Sequence, residues 1–320
     1  MGKVEIITVQ EKDDDIRLDR WFSRYYPNLK HGMLERLIKN KNIRVNKVRA
    51  TAGQHVLTGD EIRIPPLEIS RKNEAPVRLK KSDIAFMENM VLYKDDAMII
   101  LNKPAGLAVQ GGSKTTRHID GMLDALRFEK EERPHLVHRL DKETSGLLVI
   151  ARTAKAATKL TSDFKGRDIH KVYWAIVKGV PKLVSGKIDA PLTKRTDKVV
   201  VDMDNGDRAI SVYNTVEALG KTAAWLELSP LTGRTHQLRV HLADILRTPI
   251  IGDDKYGKAC LMGASKGLHL HARAIEVTSP ATKKKIVAIA PLPEHMKETF
   301  AFLGFDEKEK KHPFDFLKRR

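Results

Sequence analysis

Short apolar runs, separated by glycines, prolines and charged turns, dominate the sequence from Val91 onward. Each run has four to seven residues, which is the usual length of a β-strand and too short for most helices. Several short strands with interspersed helices predict an α+β domain built around a mainly antiparallel, mixed sheet. The clearest runs lie at residues 98–101, 146–151, 172–178, 223–228 and 286–290.

The segment 16–64 predicts a separate, smaller α/β unit. Leu34, Leu37 and Ile38 recur at the i, i+3, i+4 spacing of a helix with one buried face. A stretch that alternates polar and apolar residues ends at Pro65 and Pro66, which is typical of a final strand. The predicted helices span 17–25 and 31–39, and the predicted strands cover 43–45, 48 and 60–64.

Changes in composition predict where the domains begin and end. Prolines and charges without periodicity are typical of a linker, and the last residues are rich in charge, which predicts a peripheral tail. We therefore expect an N-terminal unit at 1–66, a linker at 67–88, a larger second domain at 89–304 and a tail at 305–320.

The charge balance indicates a polyanionic partner. The 320 residues include 58 Lys and Arg against 41 Asp and Glu, a net charge of +17, which suits nucleic acid or an anionic membrane. No apolar run approaches the roughly 18 residues of a membrane span, and the N-terminus lacks a secretory apolar core. Nucleic acid is therefore favoured over membrane, and a basic protein with no polyanionic partner stays the alternative. The single cysteine, Cys260, excludes an intramolecular disulfide and suits a reducing cytoplasm.

The stretch H-R-L-D-K-E-T-S-G, at 138–146, places one carboxylate just before an apolar run. From the residues alone, Asp141 is equally well an Asx-turn acceptor or a functional group. In the functional reading, the cation of Arg139 keeps a desolvated carboxylate ionised. Such a carboxylate can act as a nucleophile or stabilise a glycosyl cation, which suits chemistry at the sugar carbon of a nucleoside.

Two other enzyme classes fit this stretch poorly. A glycoside hydrolase needs a second carboxylate facing Asp141, and the nearest, Glu143, has no evident reason to face it. A protein kinase has the order H-R-D and a preceding glycine-rich loop, and neither is present.

A second polar motif, T-G-R-T-H-Q-L-R-V-H, lies at 232–241. Its glycine turn leads into a predicted helix whose inner stripe is Leu238, Leu242 and Ile245. Arg239 falls on another face, from which it can point into a site.

Histidines in this region raise the alternative of a metal site. His236 and His241 are five residues apart, whereas helical two-histidine sites use a spacing of four with a glutamate between. His269 and His271 are equally ambiguous. Packed or RNA-facing histidines are therefore favoured over metal ligands.

The run K-V-Y-W-A-I-V-K-G, at 171–179, predicts a strand with Tyr173 on one face and Trp174 on the other. An aromatic residue here is usually part of the core. Tyr173 can alternatively present its ring to a flipped base and its hydroxyl to a proton.

Together these stretches resemble the RluA/RluC branch of the pseudouridine synthases over residues 16–292. The segment 16–64, with R-V-N-K and G-D-E-I, resembles the S4 RNA-binding domain. H-R-L-D-x-x-T-S-G followed by G-R-T-H-Q-L-R-V-H is a specific combination. The matching motifs are L-N-K-P-A-G at 101–106, the stretches at 138–151, 171–179 and 232–241, P-I-I-G-D-D-K-Y-G at 249–257 and L-H-A-R at 270–273.

The resemblance implies isomerisation of uridine to pseudouridine, in which N1–C1′ breaks, the base rotates and C5–C1′ forms. Asp141 would be the catalytic aspartate, and whether it attacks the sugar, attacks the base or removes a sugar proton stays open. Tyr173 would stack on the uracil and help to remove the C5 proton. Arg239 would pair with Asp141, and Arg139 would insert where the target base has left the RNA stack.

The resemblance also implies the partners. We expect an RNA substrate, with uridines of 23S ribosomal RNA favoured over transfer RNA, no metal or organic cofactor, and a cytoplasmic monomer. The alternative from another class is a non-catalytic RNA-binding or ribosome-assembly protein. Residues 16–64 hold eleven Lys and Arg against four Asp and Glu. The RNA-binding candidates in that unit are Arg17, Arg20, Arg24, Lys30, Arg36, Lys39, Lys41 and Arg44.

Overall fold

The computed structural model of the chain describes residues 4–26, 29, 31–67, 79–111, 117–166, 168–307 and 313–318. The chain divides into two units, Met1–Val77 and Arg78–Arg320. In the part that the structure describes, no helix is both long and apolar enough to cross a bilayer.

The N-terminal unit packs two helices on a small antiparallel sheet whose strand order is β1-β6-β3-β4. A cluster that includes Trp21, Phe22 and Ile62 forms its core. A further pair of strands, β2 and β5, completes it. Its elements are β1 (Glu5–Thr8), β2 (Ile16–Arg17), α1 (Leu18–Tyr25), α2 (His31–Lys39), β3 (Arg44–Val45), β4 (Val48–Arg49), β5 (His55–Val56) and β6 (Glu61–Ile64).

The periodicity in this unit predicted its helices well. Leu34 and Ile38 are buried and Leu37 is partly buried against the same core, as the stripe predicted. Strand β1 was missed, because only one of its four residues is even partly buried and no alternating pattern marks it.

The second unit is built on one ten-stranded sheet with helices packed around it. Its helices are α3 (Lys81–Glu88), α4 (Ile119–Met122), α5 (Ala154–Gly166), α6 (Gln237–Val240), α7 (Glu294–Leu303) and α8 (Asp315–Lys318). Its strands are β7 (Val91–Lys94), β8 (Met98–Lys103), β9 (His135–Leu136), β10 (Ser145–Ala151), β11 (His170–Lys178), β12 (Ser185–Asp189), β13 (Leu192–Arg195), β14 (Lys198–Val201), β15 (Ile210–Leu219), β16 (Ala223–Pro230), β17 (Leu270–Thr278) and β18 (Lys285–Ile289).

The order of the main sheet is β12-β15-β16-β11-β17-β10-β8-β7, with β18 beside β17 and β9 beside β10. Among the described strands of this sheet, every pairing is antiparallel except that of β10 with β17. Strands β13 and β14 form a separate hairpin. All five predicted strands are present, and the predicted α+β class with a mainly antiparallel, mixed sheet is confirmed.

Two predicted boundaries need correction. Residues 81–88 were assigned to the linker, but they form α3, because Met87 is fully buried and Ile84 and Phe86 pack against the same core. Residues 68–78 of that linker lie outside the described residues. The tail is also less peripheral than predicted, since Phe305 and Phe314 are buried in the core beside Trp225.

Gly146 allows the parallel pairing that brings β10 and β17 together. Its φ of +106° lies in the left-handed region, and a Cβ built on it would stand 2.3 Å from the backbone oxygen of Ala272. Only glycine fits this approach of two backbones. The glycine in the motif T-S-G therefore has a structural reason.

Gly146→Ala is expected to lower the free energy of unfolding by about 1–3 kcal/mol, from backbone strain and the clash with β17. Urea denaturation measures this change through the transition midpoint. Gly233→Ala is the matched control, because a Cβ there meets nothing within 4 Å and φ is not positive. Equal stability of the two variants would contradict the role given to Gly146.

Candidate active site

A cleft of about 590 Å³ opens where three parts of the second unit converge. The loop before β10, the segment from the end of α5 into the beginning of β11, and the segment from the end of β16 into α6 supply most of its walls. Its volume lies within the range of small-ligand sites. Asp141, Tyr173 and Arg239, which are distant in sequence, all line it together with Arg139.

The residues of H-R-L-D alternate between anchoring the loop and facing the cleft. His138 accepts a hydrogen bond from the backbone N–H of Val149 in β10 at 2.8 Å, and its ring stacks on Phe164 at 4.1 Å. Burial lowers the pKa of His138 to about 3, so the ring is neutral. Leu140 is buried, whereas the side chain of Asp141 stays 19% exposed in the cleft.

A buried lysine anchors the loop backbone directly after Asp141. Lys103 is fully buried, and its Nζ donates to the backbone carbonyls of Pro104, Leu107 and Lys142 at 2.8–2.9 Å. Burial lowers the pKa of Lys103 to about 7, and the charges of Glu143 and Asp141 oppose that shift. The three acceptors match the three N–H bonds of an ammonium. Lys103, from the motif L-N-K-P-A-G, thus ties β8 to the loop that carries Asp141.

Arg239 reaches Asp141 from the opposite wall. Its Nη1 lies 3.3 Å from Oδ2 of Asp141, while Nε and Nη2 donate to the two oxygens of Asp253, each at 2.8 Å. Asp253 is 1% exposed and also accepts the backbone N–H groups of Lys255 and Tyr256. Burial alone would lower the pKa of Arg239, but Asp253 and Asp141 outweigh it and raise that pKa. Asp253 therefore holds the guanidinium through a bidentate ion pair, and Nη1 presents one N–H to the cleft.

His236 stands beside this pair. Its Nε2 lies 3.9 Å from Oδ2 of Asp141, and its Nδ1 lies 2.7 Å from the hydroxyl of Tyr256. That hydroxyl accepts a hydrogen bond from the backbone N–H of Val199, so its own proton is available to Nδ1. Burial lowers the pKa of His236, which favours a neutral ring, although the charge of Asp141 acts the other way.

Tyr173 faces the cleft from β11, whereas Trp174 on the opposite face is fully buried. This is the division of faces that the alternation in the strand predicted. Burial, and then the negative charge of Asp141, raise the pKa of Tyr173 far above its ordinary value. The phenol therefore keeps its proton at neutral pH.

Arg139 has a different environment from the other residues of the loop. Its side chain is exposed and makes no ion pair or hydrogen bond with any residue in the described part of the chain. It lines both the main cleft and a smaller neighbouring one. Glu143, the possible second carboxylate, is 52% exposed and pairs with Lys142 at 3.8 Å.

The predicted inner stripe of the second motif is right for two residues and wrong for the third. Leu238 and Leu242 are buried, but Ile245 is 42% exposed. The reason is that His241–Ile245 form a π turn, whose wider repeat rotates the last residue away from the core.

The other three candidate histidines, His241, His269 and His271, are packed into the fold. His241 contacts the hydroxyl of Ser211 at 2.9 Å, and His271 contacts that of Ser145 at 2.8 Å. His269 lies 2.8 Å from the hydroxyl of Thr299. Across the described ranges, no group of three or more His, Cys, Asp or Glu is placed to hold a metal ion.

Sequence reasoning missed the roles of Asp253, Tyr256, His236 and Lys103 in this site. The first two lie in the matching stretch P-I-I-G-D-D-K-Y-G, to which no role was given. A polar cluster directly after two buried isoleucines, Ile250 and Ile251, was the available signal.

Comparison with known proteins places this geometry in a family. The sequence profile described as RNA pseudouridylate synthase matches residues 97–244, which include Asp141, Tyr173 and Arg239. The ribosomal large subunit pseudouridine synthase C of Rickettsia typhi is 39% identical over 292 residues, covering 87% of this chain and 94% of that protein. The chain belongs to the RNA pseudouridylate synthase family. The resemblance to pseudouridine synthases is thus confirmed, and the protein is an RNA pseudouridine synthase.

Two further relatives support membership of this family. The Vibrio cholerae protein of the same name is 33% identical to this synthase, covering 92% of this chain and 96% of that protein. The solved structure of human RNA pseudouridylate synthase domain containing 4 is 29% identical, with a TM-score of 0.62, and covers 71% of this chain and 97% of that one.

The nominated RNA-binding residues of the N-terminal unit fall into two groups. Arg17 and Arg24 form ion pairs with Asp19 and Asp13, which neutralises them locally. Lys30 lies outside the described residues. The exposed candidates without an ion pair in the described ranges are Arg20, Arg36, Lys39, Lys41 and Arg44.

Proposed function

We propose that this synthase isomerises specific uridines of 23S ribosomal RNA to pseudouridine at the cleft that contains Asp141. One observation carries the proposal: Asp141 and Tyr173 line the same cleft, and Arg239, gripped by Asp253, contacts the carboxylate at 3.3 Å. The names of the relatives, which refer to the large ribosomal subunit, favour ribosomal RNA as the substrate.

In this proposal Asp141 is the catalytic residue. The bond N1–C1′ of the bound uridine breaks, the uracil rotates within the cleft, and C5 bonds to C1′. The C5 proton then leaves and N1 gains a proton, so product and substrate are isomers and no external reagent is consumed. Arg239 aims the carboxylate, because its other N–H groups are already fixed to a buried partner.

Tyr173 contributes its ring to the base. A flipped uracil needs a stacking surface to replace its neighbours in the RNA, and Tyr173 faces the cleft beside Asp141. Its raised pKa keeps the hydroxyl protonated, which favours the stacking role over removal of the C5 proton.

We assign Arg139 to the RNA stack. Base extrusion costs about a few kcal/mol, and a planar guanidinium can fill the vacated space. The exposed position of Arg139 at the edge of the cleft, without a partner in the described ranges, leaves it available for this.

We propose the N-terminal unit as the S4-like RNA-binding domain. Replacing Arg36, Lys39 and Lys41 together by Gln is expected to weaken binding of 23S transcripts and to flatten the slope of log Kd against log salt by about two to three, because each lost phosphate contact removes about one from it. Filter binding at several salt concentrations measures both quantities. Unchanged affinity and slope in a variant that unfolds at the wild-type temperature would refute this role.

Mapping pseudouridines in RNA from cells that lack the protein tests the proposed substrate. We expect specific 23S sites to be lost and to return with the wild-type gene but not with Asp141→Asn. Loss of transfer RNA sites instead would establish that alternative. Loss of no site, or rescue by the Asp141 variant, would favour the non-catalytic RNA-binding protein.

We also propose that the enzyme acts in the cytoplasm as a monomer.

A further inference from the structure

A second, smaller cleft of about 300 Å³ adjoins the one that contains Asp141. The two clefts share a wall made of Arg139, Thr235 and His236. The remaining lining comes from the hairpin of β13 and β14, with Lys255 beside it. None of these hairpin residues has a role in the chemistry described above.

The lining of the second cleft is strongly basic. Arg139, Lys194, Lys198 and Lys255 contribute four cations, whereas Asp197 is the one carboxylate among the lining residues. None of the four cations has a carboxylate within ion-pair distance in the described parts of the chain. Elsewhere in the same hairpin, Arg195 does pair with Asp202 at 3.2 Å. Four unneutralised cations around one concavity create a site for an anion.

The hairpin is held firmly against the active site and is not a free surface loop. Leu192 and Val199 are buried in a cluster with Val240 and Tyr256. The backbone N–H of Val199 donates to the hydroxyl of Tyr256, which also contacts His236. The positions of Lys194 and Lys198 are therefore set by residues that belong to the active-site wall.

We propose that the second cleft binds a backbone phosphate of the RNA next to the target uridine. The inference rests on the proposed function, because it needs a nucleotide in the main cleft. The base and the phosphate of one nucleotide are joined through a single ribose, so a uracil beside Asp141 brings phosphates close to the main cleft. The ribose would lie at the wall that the two clefts share, which includes Arg139. Lys194 and Lys198 neutralise the phosphate and thereby strengthen binding of the target nucleotide.

The test replaces Lys194 and Lys198 together by Gln in the full chain. Tritium release from C5-labelled uridine in 23S transcripts gives kcat and KM, and binding across salt concentrations gives the salt slope. We expect KM to rise about tenfold, kcat to stay within about threefold, and the slope to fall by about one. Lys194→Arg with Lys198→Arg should restore KM, because the charges are kept.

The matched control is Lys182→Gln with Lys221→Gln. Lys182 follows β11 and Lys221 precedes β16, so both exposed lysines lie at the end of this strand pair that is opposite to Tyr173 and the cleft. The control variant therefore removes the same charge away from the cleft. If the wild type releases tritium but the Lys194/Lys198 and Lys182/Lys221 double variants have the same KM and the same salt slope, the phosphate site is overturned and the proposed function stands. A wild-type protein that releases no tritium from RNA would instead overturn the proposed function on which the site rests.

Discussion

Asp141→Asn is expected to abolish pseudouridine formation, with the single-turnover rate falling by about 10⁴-fold or more, as happens when a nucleophile or equivalent group is removed. The side chain keeps its size, and the anchors His138 and Lys103 bond to backbone groups and not to the carboxylate of Asp141. RNA affinity should therefore stay within a few-fold. Digestion of the RNA followed by chromatography measures the pseudouridine formed, and filter binding measures the affinity.

Glu143→Gln is the matched control for this variant. It neutralises a carboxylate two residues away whose side chain is 52% exposed and turned to Lys142, so we expect a rate within about threefold of wild type. A rate for Asp141→Asn within tenfold of wild type would contradict the catalytic assignment. Equal losses in both variants would instead indicate a pair of carboxylates.

Arg239→Lys is expected to lower kcat by about 100-fold with little change in KM. Lysine keeps the charge but cannot hold Asp253 with two N–H groups and present a third to Asp141. A misplaced carboxylate costs about two orders of magnitude in rate. Steady-state tritium release separates kcat from KM, and thermal unfolding shows whether the fold survives.

Asp253→Asn provides the second measurement for Arg239. If Asp253 acts by aiming the guanidinium, its loss should reproduce most of the fall in kcat, and the double variant should be little worse than either single one. Additive effects of the two changes, or an Arg239→Lys variant within fivefold of wild-type kcat, would show that the grip of Asp253 does not position the site.

The sequence motifs predicted which face of its helix or strand each main cleft residue occupies, because that depends only on neighbouring residues. Helical periodicity put Arg239 on a different face from Leu238 and Leu242, and strand alternation put Tyr173 opposite Trp174. Both are confirmed in the structure. The prediction that Arg239 pairs with Asp141, 98 positions earlier, rested on the family resemblance, because local sequence periodicity does not show which distant residues meet. The structure places the two side chains 3.3 Å apart.

What could not be predicted depends on packing between distant segments. Asp253 becomes important only because Arg239 is folded against it. Residues 81–88 form a helix because Met87 is buried by tertiary contacts that the charged local sequence does not indicate. Ile245 turns outward because a π turn, which has no sequence signature of its own, interrupts the 3.6-residue repeat.

Tritium release from C5-labelled uridine in 23S transcripts tests most directly whether Asp141 drives isomerisation of uridine in that RNA. Bond formation at C5 expels the C5 hydrogen, so each turnover frees one labelled proton. We predict steady release by the wild-type protein and none above background by Asp141→Asn at equal RNA occupancy. No release by the wild type, or equal release by the two proteins, would contradict catalysis of this reaction by Asp141.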